Sequence, residues 1–477
     1  MVPMYTIGLD IGTSAVKGVL LSSGGDVSSR AREETRYLPS PDGYVQFDAN
    51  QLYEAVTGVI RSLVAALPAG GSVAGISLAS ASGNTVLVNE QGEPMLPAFS
   101  WMDSRLQGEM EPVFGQLDGG TVHDLVGWPL IPQFPLAHLS WLKCHEPQLI
   151  PQSAKICMST DYINFRLTGN WGIDNSTATT FYLQDQKAAE WHPPFLQKLG
   201  ISAAQLPPIH QPGTVLGAIA PRAAAETALP PGCPVVLGSF DHPSAARGAG
   251  ILKEGELLLS CGTSWVGFLP VADRTKALAA GMLIDPFLQP EGPWGAMFSL
   301  PAIAATVDKY INRYISTGPR RYIDFSRLSA AAKTGAGGLL LNPLQDDLLN
   351  GELREIAKAD IARALMEGTA FLLKRQLERL EAAGWHFAAA TMVGGPSETH
   401  PWPQIVADVL GWKIGTINGS CAGAVGAAML AGKGVGIYEG EEEAFRVLNF
   451  PKLEREPDQA AHQAYREIYS AFQLKYS

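Results

Sequence analysis

The stretch Tyr5-Thr6-Ile7-Gly8-Leu9-Asp10-Ile11-Gly12-Thr13-Ser14-Ala15-Val16-Lys17-Gly18-Val19-Leu20-Leu21 decides how the rest of the chain is read. An apolar run, Tyr5–Leu9, gives way to Asp10-Ile11-Gly12-Thr13-Ser14 and resumes at Val16–Leu21. Two apolar segments around a polar, glycine-containing turn predict a β-hairpin. Glycine and small hydroxyl residues let backbone N–H groups close on an anion. Thr13 and Ser14 add hydroxyls, Lys17 adds charge, and Asp10 suits a hydrated Mg²⁺. The same residues also suit a hairpin that only reverses the chain.

Working outward, Asp48 is placed to cap a helix with apolar positions Leu52, Val56, Val59, Ile60, Leu63 and Leu67. Val73–Leu78 and Thr85–Val88 read as strands, and Ile131–His145 and Thr160–Leu167 as mostly helical. Val235–Leu237 is a strand that runs into Gly238-Ser239-Phe240-Asp241. A second hairpin follows: strand Glu256–Leu259, turn Ser260-Cys261-Gly262-Thr263-Ser264 and strand Trp265–Leu269. It carries the same Gly-Thr-Ser tripeptide as the first, which either duplicated domains or coincidence explains. The boundary between halves is expected near Ala245–Gly250, giving domains 1–247 and 248–477. Asp360 is placed to cap a helix that Gly384 stops, and Met392-Val393-Gly394-Gly395-Pro396-Ser397 is a strand end followed by a glycine turn. A small-residue helix is expected over Ala422–Ala431.

The composition narrows the class. The 477 residues exceed the roughly 100–200 of an ordinary domain, so two or more domains are expected. With 35 Lys plus Arg against 46 Asp plus Glu the net charge is −11, and no Lys/Arg run occurs, which disfavours nucleic acid or an anionic membrane as partner. No apolar stretch is long enough to span a bilayer, and Met1-Val2-Pro3-Met4 has none of the marks of a secretory leader. Five dispersed cysteines without a C-x-x-C pair fit reduced thiols, so a cytoplasmic location is expected. Walker-A, dinucleotide-binding, nucleophile-elbow and H-E-x-x-H motifs are all missing. Alone, Asp241 is one acidic residue at a strand end, where α/β folds place catalytic carboxylates and where a solvated or capping Asp also fits.

Taken in order, these segments resemble the FGGY family of carbohydrate kinases, of the actin–hexokinase–chaperone ATPase superfamily. Gly8 to Ser14 with Val16-Lys17 is similar to the family's first phosphate loop. Trp101-Met102-Asp103-Ser104-Arg105 matches its W-x-D-x-R sugar-site segment. Asp161-Tyr162 through Leu167-Thr168-Gly169, with Asp174 and Ser176, is similar to its D-Y…L-T-G…D-x-S run. Asp241 with Gly248 matches the catalytic base, Gly262-Thr263-Ser264 the second phosphate loop, and Gly394-Gly395-Pro396-Ser397 with Ala407-Asp408 the adenosine motif. There are departures. Ala81-Ser82-Gly83 stands where many xylulokinases have Met-His-Gly, His242 follows the base, and His138 replaces a common Lys ahead of Trp141. Asn342-Pro343 to Gly351 is a shortened version of a family segment, leading into Arg363-Ala364-Leu365-Met366-Glu367-Gly368.

The resemblance implies an α/β fold of two ribonuclease-H-like domains around a central cleft, with sugar on the first and ATP on the second. It implies a xylulokinase-like transfer of the ATP γ-phosphoryl group to a ketose or polyol. Asp241 would be the base, and Asp10 and Asp241 the Mg²⁺ ligands. Gly12, Thr13, Ser14, Lys17, Gly262, Thr263, Ser264, Gly394, Gly395 and Ser397 would hold ATP. Ser82, Asn84, Trp101, Asp103, Arg105 and His242 would line the sugar, or Arg105 would bridge to a carboxylate across the cleft. The alternatives are a gluconate or other polyol kinase of the family, an actin- or chaperone-type ATPase, and a sugar sensor without turnover. A homodimer is one assembly the sequence allows.

Overall fold

The computed structural model describes residues 3–39, 43–106, 108–262, 264–345, 353–417, 421–450 and 452–476. Thr263 and most of the shortened segment ending at Gly351 lie outside the described residues. The chain forms two compact units, the first made of Met1–Leu252, Val271–Ala296 and Cys421–Asn449.

The expected hairpin is the centre of the first unit. Met4–Ile11 and Ala15–Ser22 pair antiparallel, with Asp10 opposite Lys17. They sit in a six-stranded sheet ordered Val215–Ala218, Pro234–Phe240, Ser72–Ser80, Met4–Ile11, Ala15–Ser22, Val27–Glu34. The three middle strands, from Pro234–Phe240 to Met4–Ile11, run parallel. Ile11 lies opposite Ser80 and Ser80 opposite Phe240, so all three strands end level with one another. Ligand sites of α/β sheets form at such carboxyl ends.

Helix Ala49–Ala65 begins as expected at Asp48, whose carboxylate accepts from the N–H groups of Asn50 (2.8 Å) and Gln51 (3.4 Å). Its buried stripe, Leu52, Val56, Val59, Ile60 and Leu63, joins a core with Ile7, Leu9, Val16 and Leu20. Each such side chain stabilises the unit by about 1.5–3 kcal/mol. Helix Ala422–Gly434 also packs here, although it falls beyond the sequence boundary at 247/248. Its small side chains let backbone meet backbone. A β-carbon on Gly8 would overlap the Ala424 carbonyl, and one on Gly248 the Ala422 carbonyl.

The second unit comprises Lys253–Pro270, Met297–Ser420 and Phe450–Ser477. Leu258–Cys261 and Trp265–Val271 form its antiparallel hairpin, and Ala389–Val393 and Lys413–Thr416 add parallel to Leu258–Cys261. This repeats the first unit's order, a hairpin whose first strand continues into parallel neighbours. The long helix Lys358–Ala382 is capped by Ala357 rather than Asp360, which lies inside the first turn, where a carboxylate still faces free N–H groups. Gly384 follows its end with φ +86°. Among the described residues no helix is long and apolar enough to cross a membrane, and none of the five cysteines forms a disulfide.

Candidate active site

The level strand ends bring together three segments far apart in sequence. Asp10 is the penultimate residue of its strand, Ala81-Ser82-Gly83 follows Ser80, and Asp241 follows Phe240 as the first residue of helix Asp241–Ala249. Asp10 and Asp241 are both partly buried. Burial, and then the Asp241 carboxylate, push Asp10 up to about 6 against the pull of Lys17. Burial also raises Asp241, opposed by His242 and Lys17. The Asp241 Oδ1 accepts from its neighbour's backbone, the His242 N–H, at 2.7 Å, while the His242 imidazole Nε2 stands 3.9 Å away. The His242 ring turns its edge to Phe240. Two carboxylates that disfavour ionisation beside one lysine suit a hard cation with oxygen ligands, and Mg²⁺ needs only one or two carboxylates. Among the described residues no three metal-ligating side chains converge, which is compatible with that small demand.

The hairpin turn lies beside them. Gly12 N–H closes it on the Ala15 carbonyl at 3.0 Å, and the hydroxyls of Thr35 and Tyr37 donate to the carbonyls of Gly12 (3.1 Å) and Thr13 (3.0 Å). The carbonyls of Gly12 and Thr13 are thus hydrogen-bonded within the unit. Among the described residues, the backbone N–H groups of Thr13 and Ser14 have no such partner. Trp101 Nε1–H donates to Thr13 Oγ1 at 3.3 Å. This contact ties the W-x-D-x-R segment to the turn. Gly12, Thr13, Asn84 and Trp101 line one pocket, with Tyr37, Ala81, Ser100 and Ser159. Tyr37, Ser100 and Ser159 carry no sequence signal beyond being hydroxyl residues, and they were not among the expected site residues.

Other expected residues are committed elsewhere. Asp103 is fully buried; its Oδ1 accepts from Arg105 N–H (3.2 Å) and Nε (3.1 Å), and its Oδ2 from Val45 N–H (3.3 Å) and lies 2.9 Å from Arg105 Nη2. The Arg105 guanidinium is stacked over Tyr44, Phe99 and Trp141 at 3.9, 4.6 and 4.9 Å. Arg105 thus pairs with Asp103 within its own segment, not with a carboxylate across a cleft. His138 stacks on Phe99 in the same cluster, with Nδ1 2.8 Å from Thr85 Oγ1. Burial, then Arg105, push it down to about 3, so a neutral ring stands where a lysine would add charge. Asn84 spans Ser159, accepting from its N–H (2.7 Å) and donating to its Oγ (3.1 Å), which fixes the start of helix Ser159–Thr168. Ser82 is buried and donates to the Ser80 carbonyl at 3.2 Å.

In the second unit, Gly262 N–H closes its turn on the Ser264 carbonyl at 3.1 Å, the counterpart of Gly12 and Ala15. Ser260 lies opposite Val393, so Gly394 emerges beside that turn. Gly394 has φ +95°, and a β-carbon there would overlap the Cys261 carbonyl. Only glycine fits. Ser397 is buried and donates to the Gly394 carbonyl at 2.7 Å, holding the Gly395–Glu398 turn. Gly395 is left exposed.

Comparison with known proteins adds an independent line. The profile of the FGGY family of carbohydrate kinases, N-terminal domain, matches residues 5–248, and that of its C-terminal domain residues 341–435. A xylulose kinase of Staphylococcus epidermidis is 25% identical over 494 aligned positions, covering 100% of this chain and 97% of the relative. An L-xylulose/3-keto-L-gulonate kinase of Escherichia coli is 27% identical, with 98% and 96% covered. The crystal structure of xylulose kinase from Rhodospirillum rubrum superposes with a TM-score of 0.83 at 25% identity, covering 99% of this chain and 98% of that one.

Proposed function

From the premise that the chain belongs to the FGGY family of carbohydrate kinases, we propose that it transfers the γ-phosphoryl group of ATP to a hydroxyl of a ketose or related polyol of about ketopentose size. The enzyme is a sugar kinase with the family's two-domain, actin/hexokinase-like fold. The observation that carries the finer reading is the pair Asp10 and Asp241 at level strand ends, beside a turn whose free N–H groups suit phosphate.

Phosphoryl transfer is mostly positioning and charge stabilisation. Asp241, with its proton affinity raised by burial, accepts the sugar hydroxyl proton as the phosphorus–oxygen bond forms. Thr13, Ser14 and Lys17 stabilise phosphate oxygens. Gly262, Thr263 and Ser264 do the same from the 248–477 side, and Gly394, Gly395 and Ser397 seat the nucleoside. Asp10 with Asp241 would hold Mg²⁺, which neutralises charge on the phosphates when bound. On the 1–247 side, Trp101 and the pocket around it take the sugar.

The relatives' names span xylulose, L-xylulose and 3-keto-L-gulonate. Ala81-Ser82-Gly83 offers no imidazole, so D-xylulose should be a weaker substrate than another ketose or polyol. The test is ADP release with D-xylulose, L-xylulose, 3-keto-L-gulonate, ribulose, gluconate and glycerol. Sugar-dependent release with D-xylulose outranked is expected. ATP hydrolysis indifferent to every acceptor would overturn the kinase reading, and D-xylulose with the highest kcat/KM would overturn the specificity.

A further inference from the structure

We infer that Ser176 is a positioning residue for Asp241, a role resting on the assignment of Asp241 as the base. Strand Pro234–Phe240 loses register with Ser72–Ser80 between Leu237 and Phe240. The ladder resumes only at the Phe240–Ser80 pair, immediately before helix Asp241–Ala249 starts. At that residue the Phe240 N–H donates to Ser176 Oγ at 3.2 Å. A hydroxyl that accepts this bond has its own proton free, and Ser176 donates it to Asp285 Oδ2 at 2.6 Å. Both residues are buried, Ser176 completely. Ser176 is itself held in the short helix Asn175–Thr179, whose cap Asp174 accepts from Thr177 N–H at 2.7 Å.

The other side of the same bend is pinned by Arg247, from within Asp241's own helix. Its Nη1 donates to Ser239 Oγ at 3.2 Å and its Nη2 to the Phe287 carbonyl at 2.5 Å. Among the described residues Asp285 Oδ1 is buried with no hydrogen-bond partner, and the Ser176 hydroxyl is the one donor to that carboxylate. Removing the hydroxyl leaves a buried peptide N–H and a buried carboxylate both unpaired. The backbone relieves this by shifting the peptide that carries Asp241. A displacement of about 1 Å at a reacting group costs roughly 10²-fold in rate, while the groups that bind sugar and nucleotide stay where they are.

The experiment compares the full-length wild type with Ser176→Ala, Ser176→Cys and Asp241→Asn, using the best acceptor of the panel above. Ser176→Ala should lower kcat by roughly 10- to 100-fold with both KM values within about threefold. Ser176→Cys, near-isosteric with a weaker donor and acceptor, should fall between wild type and Ala, and it decides the matter if Ala does not fold. Wild-type kcat in the folded variants, or a loss confined to sugar KM, overturns the inference. If Asp241→Asn is inactive while the Ser176 variants turn over normally, the kinase reading stands and this one falls. If Asp241→Asn turns over normally, Asp241 is not the base and both assignments fall.

Discussion

Replacing Asp103 by alanine separates two accounts of the W-x-D-x-R segment. A carboxylate that bound sugar hydroxyls would contribute roughly 1.5–3 kcal/mol to substrate binding, and its loss would raise the sugar KM roughly tenfold or more. The structure predicts another outcome. Asp103 has no exposed surface and accepts from three N–H groups, two of Arg105 and one of Val45. The Arg105 side chain is only 9% exposed and lies among three aromatic rings. Removing one partner of such a buried pair leaves the other charge uncompensated and costs about 3–5 kcal/mol. The expected result of Asp103→Ala is therefore a loss of that order in unfolding free energy, with the sugar KM of the remaining folded enzyme within a few-fold of wild type. Urea unfolding followed by circular dichroism gives the first number and ADP release the second. Asp103→Ala combined with Arg105→Met should recover part of the loss, because the unpaired charge is gone and the rings keep an apolar neighbour. Unchanged stability together with a tenfold higher sugar KM would refute the reasoning and put the carboxylate on the sugar.

Asp241→Asn should lower sugar phosphorylation by at least roughly 10²-fold while ATP affinity, measured by calorimetry, stays within a few-fold. Near wild-type turnover would remove Asp241 from the chemistry. Stability should fall as pH rises from about 4 to about 7. Burial lifts Asp174 to about 6 and Asp285 to about 7 from an ordinary 3.8, so the folded state holds more protons than the unfolded one across that window. Their favourable contribution is complete below the ordinary value and lost by the folded one. Denaturation midpoints at a series of pH values should show this slope flattened in Asp285→Asn, and an identical slope there counts against it.

The hairpin at Tyr5–Leu21 and the helix at Asp48 were legible because local pattern and tertiary role agree: the apolar runs become central strands, and the cap finds its N–H groups. The strand ahead of Asp241 was legible for the same reason. The allocation of helix Ala422–Gly434 was not. Its small residues announce close packing without naming the surface, and its partners Gly8 and Gly248 lie far upstream in the sequence. Asp360 shows a different limit, since an acidic residue suits the cap and the first turn alike. In the site, W-x-D-x-R marks a place but not a direction for each side chain. Trp101 reaches the Gly12-Thr13-Ser14 turn, whereas Asp103 and Arg105 turn to each other. Ser176 was visible only as part of a motif, because its hydrogen bond to the Phe240 N–H joins residues 64 apart that no periodicity links.

The same geometry bears on specificity. Three parallel strands end level at Ile11, Ser80 and Phe240, so each contributes the residues that follow it to one small region. Asp10 and Asp241 bring carboxyl groups, and the third contribution, Ala81-Ser82-Gly83, lies between them in strand order. Gly83 cannot easily carry a side chain: its φ is +81°, and a β-carbon would overlap the Phe134 ring. Ser82 has already given its proton to the Ser80 carbonyl, so toward a ligand its oxygen can only accept. A Met-His-Gly segment would place an imidazole here, able to donate as well as accept. With the hydroxyl instead, a sugar must supply the proton itself or leave the contact unmade. On the proposed function, discrimination among epimers would then fall to the pocket walls around Trp101, Tyr37 and Ser100, where ring faces and hydroxyls are the available contacts.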